Sequence, residues 1–186
     1  MHRLMLVILL ALLALTGSGQ TLAGDTVGAI GYSRSVSVPL NAYQLYDKAM
    51  DAWTWTFGKE PGAVLRRSDR ESGMIEGTAR VNFRSTMLTG REESMGTITY
   101  RVTIQLRAGG SRITVNELVH SGNKTALRGG IHLGVLARGS SPQQRIPGLG
   151  RANTERLYAE VKELSHGRVT QLMQAFEARL RANAEP

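Results

Sequence analysis

Residues 97–115 read TITYRVTIQLRAGGSRITV, and this stretch decides the fold. Between 98 and 106 apolar residues alternate with Thr, Arg and Gln, which is typical of a strand with one buried face and one wet face. Residues 108–110 are Ala-Gly-Gly, and the alternation resumes at 113–115. The stretch therefore predicts a β-hairpin. The alternation slips at Glu117-Leu118, which indicates a bulge in the second strand.

The residues before the hairpin predict a strand, a helix and two more strands. Residues 32–38 alternate like a strand, and Asn41 is a good N-cap for the helix that follows. One apolar stripe at helical spacing contains Tyr46, Ala49, Met50, Trp53 and Phe57. A short strand is predicted at 63–67, and a half-buried strand at 75–83. In that second strand Gly77 leaves room for a helix to pack closely.

The residues after the hairpin predict a long loop and a long helix. Residues 122–150 are rich in glycine and contain four basic residues and no acid. A loop of this length is either functional or disordered, and 131–136 predicts a brief strand inside it. Residues 151–183 carry two apolar stripes that are offset by one residue. Because His166-Gly167 lies between the stripes, we expect a kink or break in the helix there.

The element order β-α-β-β-β-β-α predicts an α+β fold. We expect a curved antiparallel sheet packed against two helices, of which the C-terminal helix is long. Residues 29–183 are interpreted as one domain, because about 155 residues are enough to bury a substantial core. The chain contains no cysteine, so no disulfide framework is expected.

The N-terminus has the residue order of a secretory signal peptide. His2 and Arg3 precede an apolar run at 4–15, and small and polar residues follow up to Ala23. The run is shorter than the roughly 20 residues that span a bilayer. We therefore expect residues 1–23 to be cleaved, which leaves a periplasmic or secreted protein without a transmembrane segment. The alternative is an uncleaved anchor. A lipoprotein would need a cysteine after the signal.

The chain is strongly basic, with 23 Lys and Arg against 15 Asp and Glu and a formal net charge of +8. Outside the cytoplasm this charge favours an anionic surface or an envelope protein as partner, although it could also serve only solubility. Two groups of cations are candidates for binding. They are the outward strand residues Arg80, Arg101 and Arg112, and the loop residues Lys124, Arg128, Arg138 and Arg145.

The outward strand face offers threonines between its arginines, which suits phosphate or carboxylate groups. The aromatic residues Phe83 and Tyr100 fall on the opposite face. Because a face without stacking platforms is a poor site for single-stranded nucleic acid, no nucleic-acid partner is expected.

Sequence motifs give no support for an enzyme, a cofactor or a metal site. The histidines His120, His132 and His166 do not have metal-ligand spacing. Residues 121–124 match the S-x-x-K pattern of penicillin-recognising enzymes, but the companion motifs are missing. We therefore expect a non-enzymatic protein and rank an enzyme without recognisable motif third among the function classes.

The chain resembles an exported bacterial family of unknown function with a TBP-like fold. The resemblance covers roughly residues 32–117. It rests on the strand-to-helix opening at 36–46 with the aromatic end at 53–57, on the middle segment 69–83, and on the closing hairpin 100–117. It implies the α+β layout and supplies no catalytic residue.

The helix-grip layout of START-like domains is a second resemblance. In that layout a long C-terminal helix closes a sheet around a cavity. It implies an alternative function, the binding of an apolar small molecule between the sheet and the helix at 157–180. The first hypothesis remains an exported interaction domain of the bacterial envelope that contacts an anionic surface or a protein.

Overall fold

The computed structural model describes residues 28–89, 91–142 and 144–184, so the expected signal peptide at 1–23 lies outside the described residues. Within them the elements follow the predicted order, and the fold class is α+β as predicted. Their bounds are β1 Tyr32–Ser37, α1 Ala42–Trp55, β2 Val64–Asp69, β3 Met74–Phe83, β4 Gly96–Arg107, β5 Gly110–Gly122, β6 Gly134–Val135 and α2 Arg151–Ala182. Neither described helix combines the length and apolar character needed to cross a membrane.

The sheet has the strand order β1-β5-β4-β3-β2, and every neighbouring pair is antiparallel. β6 pairs with the last part of β5, on the same side as β1. The segment before β1 joins this edge, because the Ile30 amide donates to the Leu136 carbonyl at 2.9 Å. The 122–150 segment therefore completes one edge of the sheet.

The central hairpin has the register that its alternation predicts. Ile104 lies opposite Ile113, and Thr103 lies opposite Thr114. The register shifts between Thr99 and Arg101, and Glu117 has a φ of 53°. The bulge predicted at Glu117-Leu118 is therefore confirmed. It lets Leu118 return to the buried face after the extra residue.

Both helices contact the sheet, where alternate residues of β4 are buried. Asn41 caps α1 as predicted, with its side-chain oxygen accepting from the Gln44 amide at 2.9 Å. α1 ends at Trp55, and Phe57 continues the apolar stripe from a short 3-10 turn. The ring of Phe57 packs near the ring of Phe176, which lies on α2. Their centroids are 6.2 Å apart, and this contact joins the two helices. Full burial of each such side chain stabilises the fold by about 1.5–3 kcal/mol.

Gly77 occupies the position at which α1 packs most closely on the sheet. A Cβ at this residue would lie 2.3 Å from the Trp53 ring and 2.9 Å from the Val64 carbonyl oxygen. Only a residue without a side chain fits under the indole, so the predicted close approach of a helix is confirmed.

A kink or break was predicted at His166-Gly167. The break is wrong, because α2 is a single helix from Arg151 to Ala182. Ser165 links the two apolar stripes, since it is buried and lies four residues from both Val161 and Val169. Its hydroxyl donates to the Val161 carbonyl at 2.7 Å and needs no other polar group.

Two strands extend beyond their predicted ends. β2 begins at Val64 and extends to Asp69, beyond the predicted end at 67, although nearly all its side chains are exposed. β5 extends to Gly122, so the first residue of the predicted loop belongs to a strand. The rest of 122–150 has its own buried contacts, which sequence composition does not reveal. Its buried apolar residues are Ala126, Leu133, Leu136, Ala137 and Ile146.

Candidate anion-binding site

An open concavity of about 780 Å³ lies at the end of the sheet where β3 ends, β4 begins and β5 ends. We call it the basic cradle. Its lining residues are Arg80, Asn82, Phe83, Arg84, Met95, Gly96, Thr97, Thr99, Ser121, Gly122, Asn123 and Lys124. The lining therefore combines three cations with hydroxyl and amide groups and contains no acid.

Strand register brings the polar residues of the basic cradle together. Arg80 on β3 lies opposite Thr99 on β4, and Thr97 lies between Asn82 and Ser121 on its two neighbours. Because alternate residues share a face, these side chains all leave the sheet on the side away from the helices. The sheet supplies a flat polar floor with Arg80 at its border.

The connection between α1 and β2 holds Arg80 in place. The Arg80 amide donates to the Pro61 carbonyl at 3.1 Å. A Cβ at Gly62 would lie 3.1 Å from the Arg80 Nε, so the guanidinium group packs directly on the backbone of this loop. Such packing reduces the freedom of a long side chain before it binds a ligand.

A close crossing of two backbone segments positions Lys124. Gly122 and Gly130 lie so close that a Cβ on Gly122 would be 2.6 Å from the Gly130 carbonyl carbon. The Asn123 amide also donates to the Met95 carbonyl at 2.8 Å. The turn that begins with Lys124 is therefore fixed against the start of β4.

The cations of the basic cradle are available to a ligand. Nine ion pairs are present among the described residues, and none of them includes Arg80, Arg84 or Lys124. Like charges with no neutralising carboxylate in the lining create a positive potential in the concavity. Guanidinium forks and hydroxyl donors suit the oxygens of phosphate and carboxylate groups.

The structure separates the cations that the sequence grouped together. Arg80 and Lys124 meet in the basic cradle. Arg101 contacts Glu117 at 3.2 Å, and Arg112 pairs with Gln105 further along the hairpin, near its turn. Arg84 was not predicted, because it follows the last residue of β3 and so lies outside the strand alternation.

The remaining predicted loop cations lie on other surfaces. Arg128 and Arg145 line a second concavity of about 520 Å³, together with Arg91 and Glu93. We call it the loop pocket. Its apolar wall contains Ile131, Ile146, Pro147 and Leu149. Arg138 is exposed beside the N-terminal edge, where its amide donates to the Gly28 carbonyl at 2.6 Å.

His120 lies in the core behind the floor of the basic cradle and is 1% exposed. Its Nδ1 accepts from the Leu133 amide at 3.4 Å, and its ring meets Phe83 edge-on at 5.5 Å. Within the described part of the chain its Nε2 has no hydrogen-bond partner. Burial, with a smaller effect of His132, lowers the pKa of His120 to about 4, so the ring is neutral at pH 7.

A buried ion pair joins the α1–β2 connection to α2. Glu60 is 6% exposed and binds the Arg168 guanidinium through both carboxylate oxygens. Burial and the nearby Glu60 carboxylate raise the pKa of the Tyr100 hydroxyl well above its ordinary value. Sequence patterns gave no indication of this pair, because its members are 108 residues apart.

No group of three or more metal-ligating side chains stands together in residues 28–89, 91–142 and 144–184. The helix-grip alternative predicts a cavity between the sheet and α2, where most of the apolar stripe is buried. Leu157, Val161, Phe176 and Leu180 are each 0% exposed, so none of them borders a space that admits water. The basic cradle and the loop pocket are both open to the surface.

Comparison with known proteins identifies the fold. A crystal structure of a TBP-like protein from Parabacteroides distasonis ATCC 8503 matches with a TM-score of 0.53, covering 81% of this chain and 94% of that chain. The fold is TBP-like. This confirms, at the level of fold, the resemblance expected from sequence. The two sequences are only 12% identical, so the TBP-like match carries no function across.

Two further structures match less well. A DUF4468 family protein from Bacteroides ovatus ATCC 8483 has a TM-score of 0.48 at 14% identity, covering 80% of this chain and 86% of that chain. The Zhui aromatase/cyclase from Streptomyces sp. R1128 has a TM-score of 0.35 at 12% identity, covering 83% and 93%. No protein-family model and no curated protein matches the chain.

Proposed function

We propose that this protein is an exported, non-enzymatic binding domain of the bacterial envelope and that the basic cradle holds an anionic group of its partner. The observation that carries the proposal is the set Arg80, Arg84 and Lys124, which surround one concavity without an acid or an ion pair among the described residues. The signal-like N-terminus supports export. In the bacterial envelope, phosphate-bearing lipids and acidic glycans are abundant anions.

A binding role fits the lining better than catalysis. The basic cradle contains hydroxyls and cations, but its lining has no carboxylate or imidazole to act as a general base. Ser121 lies on β5, whereas the serine of an S-x-x-K enzyme opens a helix. These groups are suited to donating hydrogen bonds to an anion and to neutralising its charge.

The test measures binding of tripolyphosphate by titration calorimetry at low salt. Reversing two cradle charges, in Arg80→Glu/Lys124→Glu, should weaken binding by at least about tenfold, because charged hydrogen bonds are lost and repulsion is added. The matched control is Lys48→Glu/Arg156→Glu. It changes the net charge equally at exposed positions outside the basic cradle.

The control separates a site from general electrostatics. Equal losses in the two double variants would mean that only net charge matters, and the basic cradle would not be the site. Absence of any binding by the wild-type protein at low salt would overturn the proposed function.

A further inference from the structure

The basic cradle shares its end of the molecule with two exposed apolar side chains. Met87, in the connection between β3 and β4, is 46% exposed. Leu127, in the turn after β5, is 100% exposed. Isolated exposed apolar residues are common on soluble proteins, but a leucine with its whole surface in water has no packing role in the fold.

Basic residues outnumber acidic residues around Leu127. Lys124 and Arg128 flank it in sequence and are exposed. Leu127 and Arg128 also line a shallow groove with Arg91, where Glu92 and Glu93 are the acids. Both the basic cradle and the loop pocket border the short segment 91–96, so six cations of the two sites are gathered at this end, where Arg91 lies 3.9 Å from the Glu93 carboxylate. They are Arg80, Arg84, Arg91, Lys124, Arg128 and Arg145.

The turn that carries Leu127 is held firmly by the chain around it. The backbones cross at Gly122 and Gly130, and the Ile131 amide donates to the Glu93 carbonyl at 2.8 Å. Ala126 beside Leu127 is buried. The fold therefore presents this leucine outward from an anchored turn.

We propose that this end of the protein docks on an anionic lipid bilayer, with Leu127 inserted at the interface and a lipid phosphate in the basic cradle. The inference rests on the proposed function and names its partner. An exposed apolar tip at a net basic end is the pattern of a protein that lies on a membrane, because apolar burial and attraction to anionic lipid add together. The opposite end, where the Gly109 amide donates to the Leu40 carbonyl, stays in water.

A single fluorescent label tests the insertion directly. The chain has no cysteine, so Leu127→Cys labelled with an environment-sensitive dye reports one position. The matched control is Tyr43→Cys, which is 57% exposed and lies near the opposite end. On vesicles of phosphatidylcholine with phosphatidylglycerol, emission at 127 should shift to the blue and emission at 43 should not. Vesicles of phosphatidylcholine alone should shift neither.

Leu127→Asp separates the inference from the proposed function. It should weaken vesicle binding in sedimentation by about tenfold, because the buried leucine surface is lost, and leave tripolyphosphate binding unchanged. Wild type and variant must share the same N-terminus, since an uncut apolar run at 4–15 would itself bind lipid.

Three results would overturn the inference. They are sedimentation with vesicles without a shift at 127, equal vesicle binding by Leu127→Asp, and binding of tripolyphosphate without binding of vesicles. In the last case the basic cradle still binds an anion, and the proposed function survives. If the wild-type protein binds neither probe, both proposals are wrong.

Discussion

At the scale of single residues, the buried His120 makes the stability of the fold depend on pH. Its pKa is lowered to about 4 by burial, whereas the unfolded chain takes up the proton near the ordinary value of about 6.5. The unfolded state therefore binds more protons between these values, and stability falls as pH decreases through this range. Between about pH 7 and about pH 4 the loss from this one group is roughly 3 kcal/mol.

Urea unfolding across that pH range measures this effect. His120→Leu should flatten the decline between about pH 6.5 and about pH 4. His166→Gln is the control, because it removes an exposed histidine on α2 and keeps His120. An unchanged slope in His120→Leu would show that the imidazole is not neutral in the folded core.

Gly77 is the residue whose replacement should disturb the core most specifically. A Cβ there would lie 2.3 Å from the Trp53 ring, so Gly77→Ala forces the indole or the strand to move. We expect a loss of about 1–3 kcal/mol in the free energy of unfolding, measured in urea. Thr78→Ala, next along the strand and half-buried on the other face, is the control. Because Trp53→Phe makes room, the double variant should lose less than the sum of the single variants.

At the scale of elements, the continuity of α2 makes a prediction about Gly167. This residue is exposed, and a Cβ added to it would contact nothing within 4 Å. Since glycine costs a helix interior about 0.5–1 kcal/mol relative to alanine, Gly167→Ala should stabilise the protein by that amount in thermal or urea unfolding. Gly122→Ala, at the backbone crossing, should destabilise it instead. Destabilisation by Gly167→Ala would mean that the helix needs a bend at this point.

The elements that sequence predicted well are those with a strict local period. The hairpin at 97–115, the cap at Asn41 and the bulge at Glu117-Leu118 all follow from alternation or local hydrogen bonding, which neighbouring residues determine. The unbroken α2 was missed because its stripe passes through Ser165, a polar residue that satisfies its own hydroxyl within the helix. The prediction ended β2 at 67 instead of Asp69, because the exposed side chains of this strand carry little burial signal.

At the scale of the whole molecule, local sequence patterns did not predict which cations share a concavity. Arg80 and Lys124 were expected among seven cations, but only the antiparallel order β5-β4-β3 brings the end of β5 and the end of β3 to one concavity. Arg84 was missed because it follows the last residue of β3 and lies outside the strand alternation. Arg101 and Arg112 lie on the same outward face but outside the basic cradle. Arg101 pairs with Glu117, and Arg112 lies further along the hairpin.

The central claim is that the basic cradle is where this protein holds an anion, and a titration followed by amide NMR locates the site directly. With tripolyphosphate the account predicts shifts clustered at 80–84, 96–99 and 121–124, with little change around the hairpin turn at 107–112. Shifts centred on 107–112, on the loop pocket residues 144–149, or spread evenly over all basic surfaces would contradict it.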